Sequence, residues 1–305
     1  MDLRIAFMGT PDFAVPSLKE LADHYTLAGV ITQPDRPSGR GRKLIAPPIK
    51  ETAQELGLPV FQPEDPNAPP SLEVIGNWQV DVIIVVAYGQ ILKKALLELP
   101  PGGCLNLHAS LLPRWRGASP INAAILAGDS HSGVTVIKMG PGLDDGPILT
   151  QESVPIESEE TAGQLSDRLA ALGSQLLVKT LPPYMRGELE LQPQDPKLAT
   201  YARRLEKKSG ELDFNQSADN LARMVRAYSP WPGTFTNWQN KRLLVHRASS
   251  IPVTSPGPGV LLHFEGKPAI GTSQGILVLD SLQLAGKRSV SGEEFLRGYP
   301  SWGKT

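Results

Sequence analysis

Apolar positions in the first 180 residues recur with two periods. Short runs at residues 3–8, 27–32, 81–87, 104–108, 133–139 and 148–156 read as strands, the one at 81–87 β-branched nearly throughout, as in a strand covered on both faces. The run DVIIVVA at 81–87 is the strongest of them. Between them, residues 12–23, 49–56, 91–99, 121–127 and 161–179 carry apolar residues three and four apart, the spacing of helices, and Thr161 stands where a helix cap is wanted. Strand and helix in alternation predict right-handed crossovers and a mostly parallel sheet, an α/β fold.

The pattern changes after residue 182. Residues 182–200 are polar and proline-rich, the composition of a connecting segment. One helix is predicted over 218–227. Short strand-like runs follow at 233–238, 242–248, 260–263, 276–279 and 281–284, separated by turns such as SPGPG. Five or so strands without crossover helices predict a small antiparallel barrel or sandwich, and a five-stranded nucleic-acid-binding barrel fits the count.

The length of 305 residues agrees with two domains. With 40% hydrophobic and 20% charged residues the chain is an ordinary globular one, neither fibrous nor disordered. No run approaches the 18 or so apolar residues of a membrane span, and the start MDLRIAFMGT does not have the form of a signal peptide. A single cysteine points to a reducing compartment, so a cytoplasmic location is expected. The net charge of −1 conceals a split: residues 1–200 hold 16 Lys and Arg against 23 Asp and Glu, and the remainder 14 against 8. A basic second half is the composition of a nucleic-acid partner or of a merely solvated surface.

Five segments could carry chemistry. Gly9 closes the first strand where α/β proteins receive phosphates, but Pro11 and Asp12 break any dinucleotide fingerprint, and a tight turn explains it equally well. Asn106 and His108 alternate onto one face of a strand, with Leu105 and Leu107 opposite, and an amide beside an imidazole can hold an oxyanion and move a proton. Cys104 shares that face but has no basic neighbour to make it a nucleophile. In GPGLDDG, at 140–146, Asp144 or Asp145 serves turn geometry or turns inward to orient His108. The loop DRPSGRGRK sets Arg36, Arg40, Arg42 and Lys43 on a Gly/Pro/Ser frame, suited to a phosphate backbone or simply to solvent. Arg114 and Arg116 flank Trp115 as surface packing or as walls for a planar or anionic ligand. Five scattered histidines offer no zinc-type spacing, and no metal is expected.

The segments MGTPDFAVPSL, TQPDRPSGRGRKL, VVAYGQIL, LNLHASLLPRWRGASPI and GLDDGPIL resemble the 10-formyltetrahydrofolate-dependent formyltransferases, and in particular the methionyl-tRNA formyltransferase family. Looser matches, TYARRLEKKSGELDF and RAYSPWPGT, extend the resemblance into the second half. It implies a Rossmann-like formyltransferase domain over residues 1–189, a linker over 190–205 and a small β-barrel domain of oligonucleotide-binding type over 206–305 that holds tRNA. It implies transfer of a formyl group from 10-formyltetrahydrofolate, a co-substrate rather than a bound cofactor, to the α-amine of initiator Met-tRNA. Asn106, His108 and Asp144 then take the catalytic positions. Ser110, Leu111, Leu112 and Pro113, with Gln90, Ile91 and Leu92, take the folate positions. Arg36, Arg40, Arg42 and Lys43 take the tRNA-contacting positions. A monomer without a membrane partner is expected. An amino sugar or a glycinamide nucleotide as acceptor, or an RNA-binding protein without activity, are the competing readings.

Overall fold

The computed structural model describes residues 3–38 and 43–304. The chain divides into two compact units: Met1–Pro120, His131–Pro155 and Ser166–Ala202 form one, and Ile121–Ser130, Ile156–Leu165 and Arg203–Thr305 the other. Among the described residues no helix is long and apolar enough to cross a membrane.

The first unit is built on a seven-stranded sheet in the order Ile148–Pro155, His131–Lys138, Cys104–His108, Val82–Val86, Arg4–Gly9, Thr26–Ile31 and Val60–Phe61. The five strands from Cys104–His108 to Val60–Phe61 run parallel, and His131–Lys138 runs against Cys104–His108. The sheet is therefore mostly parallel. Ile5 to Met8 and Val82 to Val86 are all buried, as a sheet covered on both faces requires. Burial at Gly9 explains the first glycine: a Cβ there would lie 2.9 Å from the Ala14 Cβ and 3.0 Å from the Val86 carbonyl, so the strand end closes tightly on its neighbours.

The helices show where many of the prolines go. Val15–His24, Pro48–Glu55 and Pro69–Asn77 each carry proline in their first two positions, where its missing N–H has no intrahelical partner to lose. Helix Pro69–Asn77 and strand Val60–Phe61 lie in a segment whose prolines hide them in the sequence. Conversely, the helix predicted over 91–99 shrinks to Lys94–Leu97. The cause is Asn67, whose side chain donates to the Ile91 carbonyl (3.0 Å) and accepts from Lys93 N (2.6 Å), holding this stretch extended. Helix Ala162–Met185 begins beside Thr161, which accepts from Gln164 N, and continues through Pro182 and Pro183. Pro182 cannot donate to the Val178 carbonyl, and the Tyr25 hydroxyl donates to it instead (3.1 Å). The Val178 carbonyl that Pro182 orphans is thus satisfied from outside the helix.

The second unit holds an antiparallel sheet in the order Thr234–Trp238, Lys241–Ile251, Ile276–Leu284, Lys267–Gly271 and Leu261–Phe264, with Val290–Ser291 added beside Ile276–Leu284. The two runs predicted at 276–284 are one strand. Asp280, the polar position that separates them in the sequence, accepts from Lys267 Nζ at 2.8 Å and so sits comfortably within the sheet. Strand Lys267–Gly271 escapes prediction because its proline and glycine imitate a turn. Helix Ala218–Ala227, capped by Ser217, buries Leu221, Met224 and Val225. Trp238, Phe295, Tyr299 and Trp302 pack edge-to-face or tilted at centroid distances of 4.7–5.5 Å, closing the C-terminal helix Gly292–Gly298 into the core.

Candidate active site

All five residues of strand Cys104–His108 are buried. Leu107 lies against Gly173 of helix Ala162–Met185, which leaves the opposite face to Asn106 and His108. Parallel neighbours bring their carboxyl ends to the same edge, so the segments after Gly9, Val86 and His108 border one region, the usual ligand edge of an α/β sheet.

The loop carrying the two aspartates closes over that edge. Gly146 permits it: a Cβ there would meet the Lys138 carbonyl at 1.9 Å, so only glycine lets the loop fold onto the strand end. Asp144 adopts a left-handed backbone (φ 49°), a conformation aspartate tolerates better than most residues. This turns its carboxylate inward, and Asp145 remains exposed. Asp144 Oδ2 accepts from Gly117 N (2.8 Å) and lies 3.6 Å from His108 Nδ1, while Oδ1 lies 3.4 Å from Asn106 Nδ2. His108 Nε2 lies 2.9 Å from the Trp115 carbonyl. A carbonyl only accepts, so Nε2 carries a hydrogen, and Nδ1 is the ring nitrogen that faces the carboxylate. One amide, one imidazole and one carboxylate thus meet at the strand end, almost shielded from water.

The turn after His108 is fixed from beneath. Ser110 Oγ donates to the Arg114 carbonyl (2.6 Å), and the peptide bond Leu112–Pro113 is cis. Fully buried Thr135 donates to the Ser110 carbonyl (2.6 Å) and accepts from Leu112 N (3.2 Å). Gln151 donates to Thr135 Oγ1 (2.9 Å) and to the Leu112 carbonyl (2.8 Å). Ser110 and Leu112 are buried, and Leu111 and Pro113 half-buried. Thr135 had a signal in the sequence, a polar position inside an apolar strand. Gln151 had none.

Gln90, Ile91 and Leu92 follow the neighbouring strand. Gln90 donates to Gln33 Oε1 and to the Glu64 carbonyl, both at 3.1 Å, Ile91 is exposed, and Leu92 joins the core. They are not bonded to Asn106, His108 or Asp144. Of the basic loop, Arg36 begins a two-stranded hairpin in which Arg36–Ser38 pairs with Lys43–Ile45. Arg36 forms an exposed ion pair with Glu64 at 3.1 Å. The base of the hairpin is held by Asp35, which accepts from Gln62 (2.8 Å) and Lys50 (2.7 Å), and these bonds lower its carboxyl below the ordinary range. Arg40 and Arg42 lie outside the described residues. Arg114 stacks 4.3 Å above Trp115, whereas Arg116 is buried and bonded to Gln194.

Cys104 is buried, its thiol directed at the Leu96 carbonyl, and burial pushes its pKa up to about 12. A raised thiol pKa means a protonated, weakly nucleophilic sulfur at neutral pH. Iodoacetamide at pH 8 is therefore expected to leave the folded protein unlabelled and to label it once denatured, as mass spectrometry would read. Among the described residues no three His, Cys, Asp or Glu side chains gather as metal ligands.

The family model described as formyl transferase matches residues 3–181, and that of the formyl transferase C-terminal domain matches residues 204–300. A solved sugar 3N-formyl transferase, crystallised with dTDP and 5-N-formyl-THF, shares the fold over 94% of this chain and all of its own, with a TM-score of 0.67 at 18% identity. The class is thus a two-domain formyl transferase. Methionyl-tRNA formyltransferases of Marinobacter nauticus and Chloroflexus aggregans are 43% and 45% identical to this chain, each over 97% of it and over 96% and 97% of their own lengths. The chain belongs to the methionyl-tRNA formyltransferase family.

Proposed function

We propose that this protein moves a formyl group from 10-formyltetrahydrofolate to the α-amino group of initiator Met-tRNA, with Asn106, His108 and Asp144 at the reacting atoms. The meeting of these three side chains at the end of one buried strand carries the reading. The unprotonated amine attacks the formyl carbon, its lone pair forms the new C–N bond, and the C=O electrons become an oxyanion. Asn106 Nδ2 and a protonated His108 hold that oxyanion as hydrogen-bond donors. The attacking nitrogen becomes an ammonium and gives up a proton, Asp144 and His108 pass one to N10 of the folate, and the C–N10 bond breaks as the carbonyl re-forms. Tetrahydrofolate and the formylated amine leave with the proton count unchanged.

Residues 1–189 carry this chemistry in the proposal, and 206–305, with their excess of cations, hold the RNA. Gln90, Ile91, Leu92 and the turn Ser110–Pro113 line the folate side. Arg36, Arg40, Arg42 and Lys43 meet phosphates of the acceptor end. Arg40→Ala is expected to raise the KM for Met-tRNA severalfold and leave that for formyl folate unchanged; equal effects on both would remove the loop from the RNA interface. Affinity for Met-tRNA falls with added salt, because phosphate contacts release counterions.

Purified protein, 10-formyltetrahydrofolate and one acceptor at a time decide the matter. Formylation of Met-tRNA, but not of an amino-sugar nucleotide or glycinamide ribonucleotide, is the expected result. Formylation of either small acceptor in preference to Met-tRNA overturns the proposal. A monomer working in the cytoplasm completes the reading, and light scattering of the pure protein tests the first half of that statement.

A further inference from the structure

Residues 192–202 look in the sequence like a polar connector, but they are fastened along the site. Gln192 exchanges two backbone hydrogen bonds with Ile148, Thr200 Oγ1 accepts from Trp115 N (2.9 Å), and Tyr201–Ala202 pairs in parallel with Arg116–Gly117. At the centre stands Gln194. Its Oε1 accepts from Arg116 Nε (3.0 Å) and Nη2 (2.7 Å). Its Nε2 donates to the carbonyls of Asp144 (2.8 Å) and Gly146 (2.7 Å). Arginine can only donate and carbonyls can only accept, so the amide has one orientation and both its ends are engaged. Arg116 is 6% exposed, a buried cation that needs this partner.

The two bonds to Asp144 and Gly146 grip the loop at its left-handed residue, and the two from Arg116 tie it to the strand that ends at Gly117. Gly117 N in turn donates to the Asp144 carboxylate. We infer that Gln194 is a positioning residue for formyl transfer: it closes a ring through Arg116, Gly117 and Asp144 that fixes the carboxylate at its distance from His108 and Asn106. This inference rests on Asp144 acting at the reacting atoms. Gln194 touches no reacting group itself, so its loss alters the rate of the bound complex and not its formation.

Gln194→Glu isolates the effect. The glutamate keeps its oxygen on Arg116, now as an ion pair, but sets a second oxygen against the Asp144 and Gly146 carbonyls in place of the donor. In the full-length protein, kcat is expected to fall about 10- to 100-fold, the cost of misplacing a reacting group by an ångström or less. KM for Met-tRNA and for formyl folate is expected to stay within twofold of the original. In an Asp144→Ala background the same substitution is expected to cost nothing further, because its effect passes through that carboxylate. Gln192→Ala, which keeps the backbone bonds of the same segment, is expected to act as the unmodified protein.

An undiminished kcat in Gln194→Glu overturns the inference, as does a loss that is additive with Asp144→Ala or one divided equally between kcat and KM. If Gln194→Glu does not fold, Arg116→Lys, which keeps the charge but not the two-pronged grip, decides in its place by the same split. Full activity in Asp144→Ala alone would instead refute the role of Asp144, a different failure with its own signature.

Discussion

Replacing His108 with alanine is expected to lower kcat for formyl transfer by about 10²–10⁴, the contribution of a positioned general acid–base group. The folate side of the site should be nearly indifferent. His108 bonds to the Trp115 carbonyl and faces Asp144, and the turn from Ser110 to Pro113 is held by Thr135 and Gln151, which do not need the imidazole. Equilibrium titration with a folate analogue is therefore expected to give the original Kd within a few fold, and circular dichroism an unchanged fold. Turnover near the original rate would remove His108 from the mechanism. A joint loss of folate binding and turnover would make it a structural residue of the strand.

Asn106→Ala is expected to be the second most damaging change. Removal of one donor from an oxyanion site costs about 2.7–4 kcal/mol, or about 10²–10³ in kcat. Asn106 is 8% exposed, and its Nδ2 is directed toward Asp144 at 3.4 Å, longer and looser than the 2.8 Å bond from Gly117 N. A donor held this loosely in the free protein can turn to a stronger acceptor, and the oxyanion is one. Single-turnover rates with saturating folate and Met-tRNA separate this loss from binding. A variant whose defect lies wholly in KM would show that Asn106 binds substrate and does not stabilise the transition state.

Much of this site is legible in the sequence. The strand alternation put Asn106 and His108 on one face with no help from tertiary structure, since a period of two is a property of the backbone. The residue pattern alone leaves the choice between Asp144 and Asp145 open, and only the family resemblance picks Asp144. The choice depends on a left-handed residue and on how close Gly146 comes to Lys138, facts of packing that leave no periodic trace. Helix lengths erred for a related reason. Asn67 shortens one helix, Tyr25 satisfies the carbonyl that Pro182 orphans in another, and neither side chain is near its beneficiary in sequence. Gln194 was the hardest to foresee. It lies among prolines and acids whose composition signals solvent, and only its four hydrogen bonds distinguish it from Gln192 two positions earlier.

The stitching of residues 192–202 changes where a working fragment can be cut. The match to the formyl transferase family model stops at residue 181 and the last long helix ends at Met185. A protein truncated at either point would lose the partner of buried Arg116 and the backbone pairing along Arg116–Gly117. Chimeras that exchange C-terminal domains between relatives meet the same border: a junction placed after Ala202 carries the whole fastening with the sheet it serves, and one placed a dozen residues earlier imports a foreign clasp for Asp144.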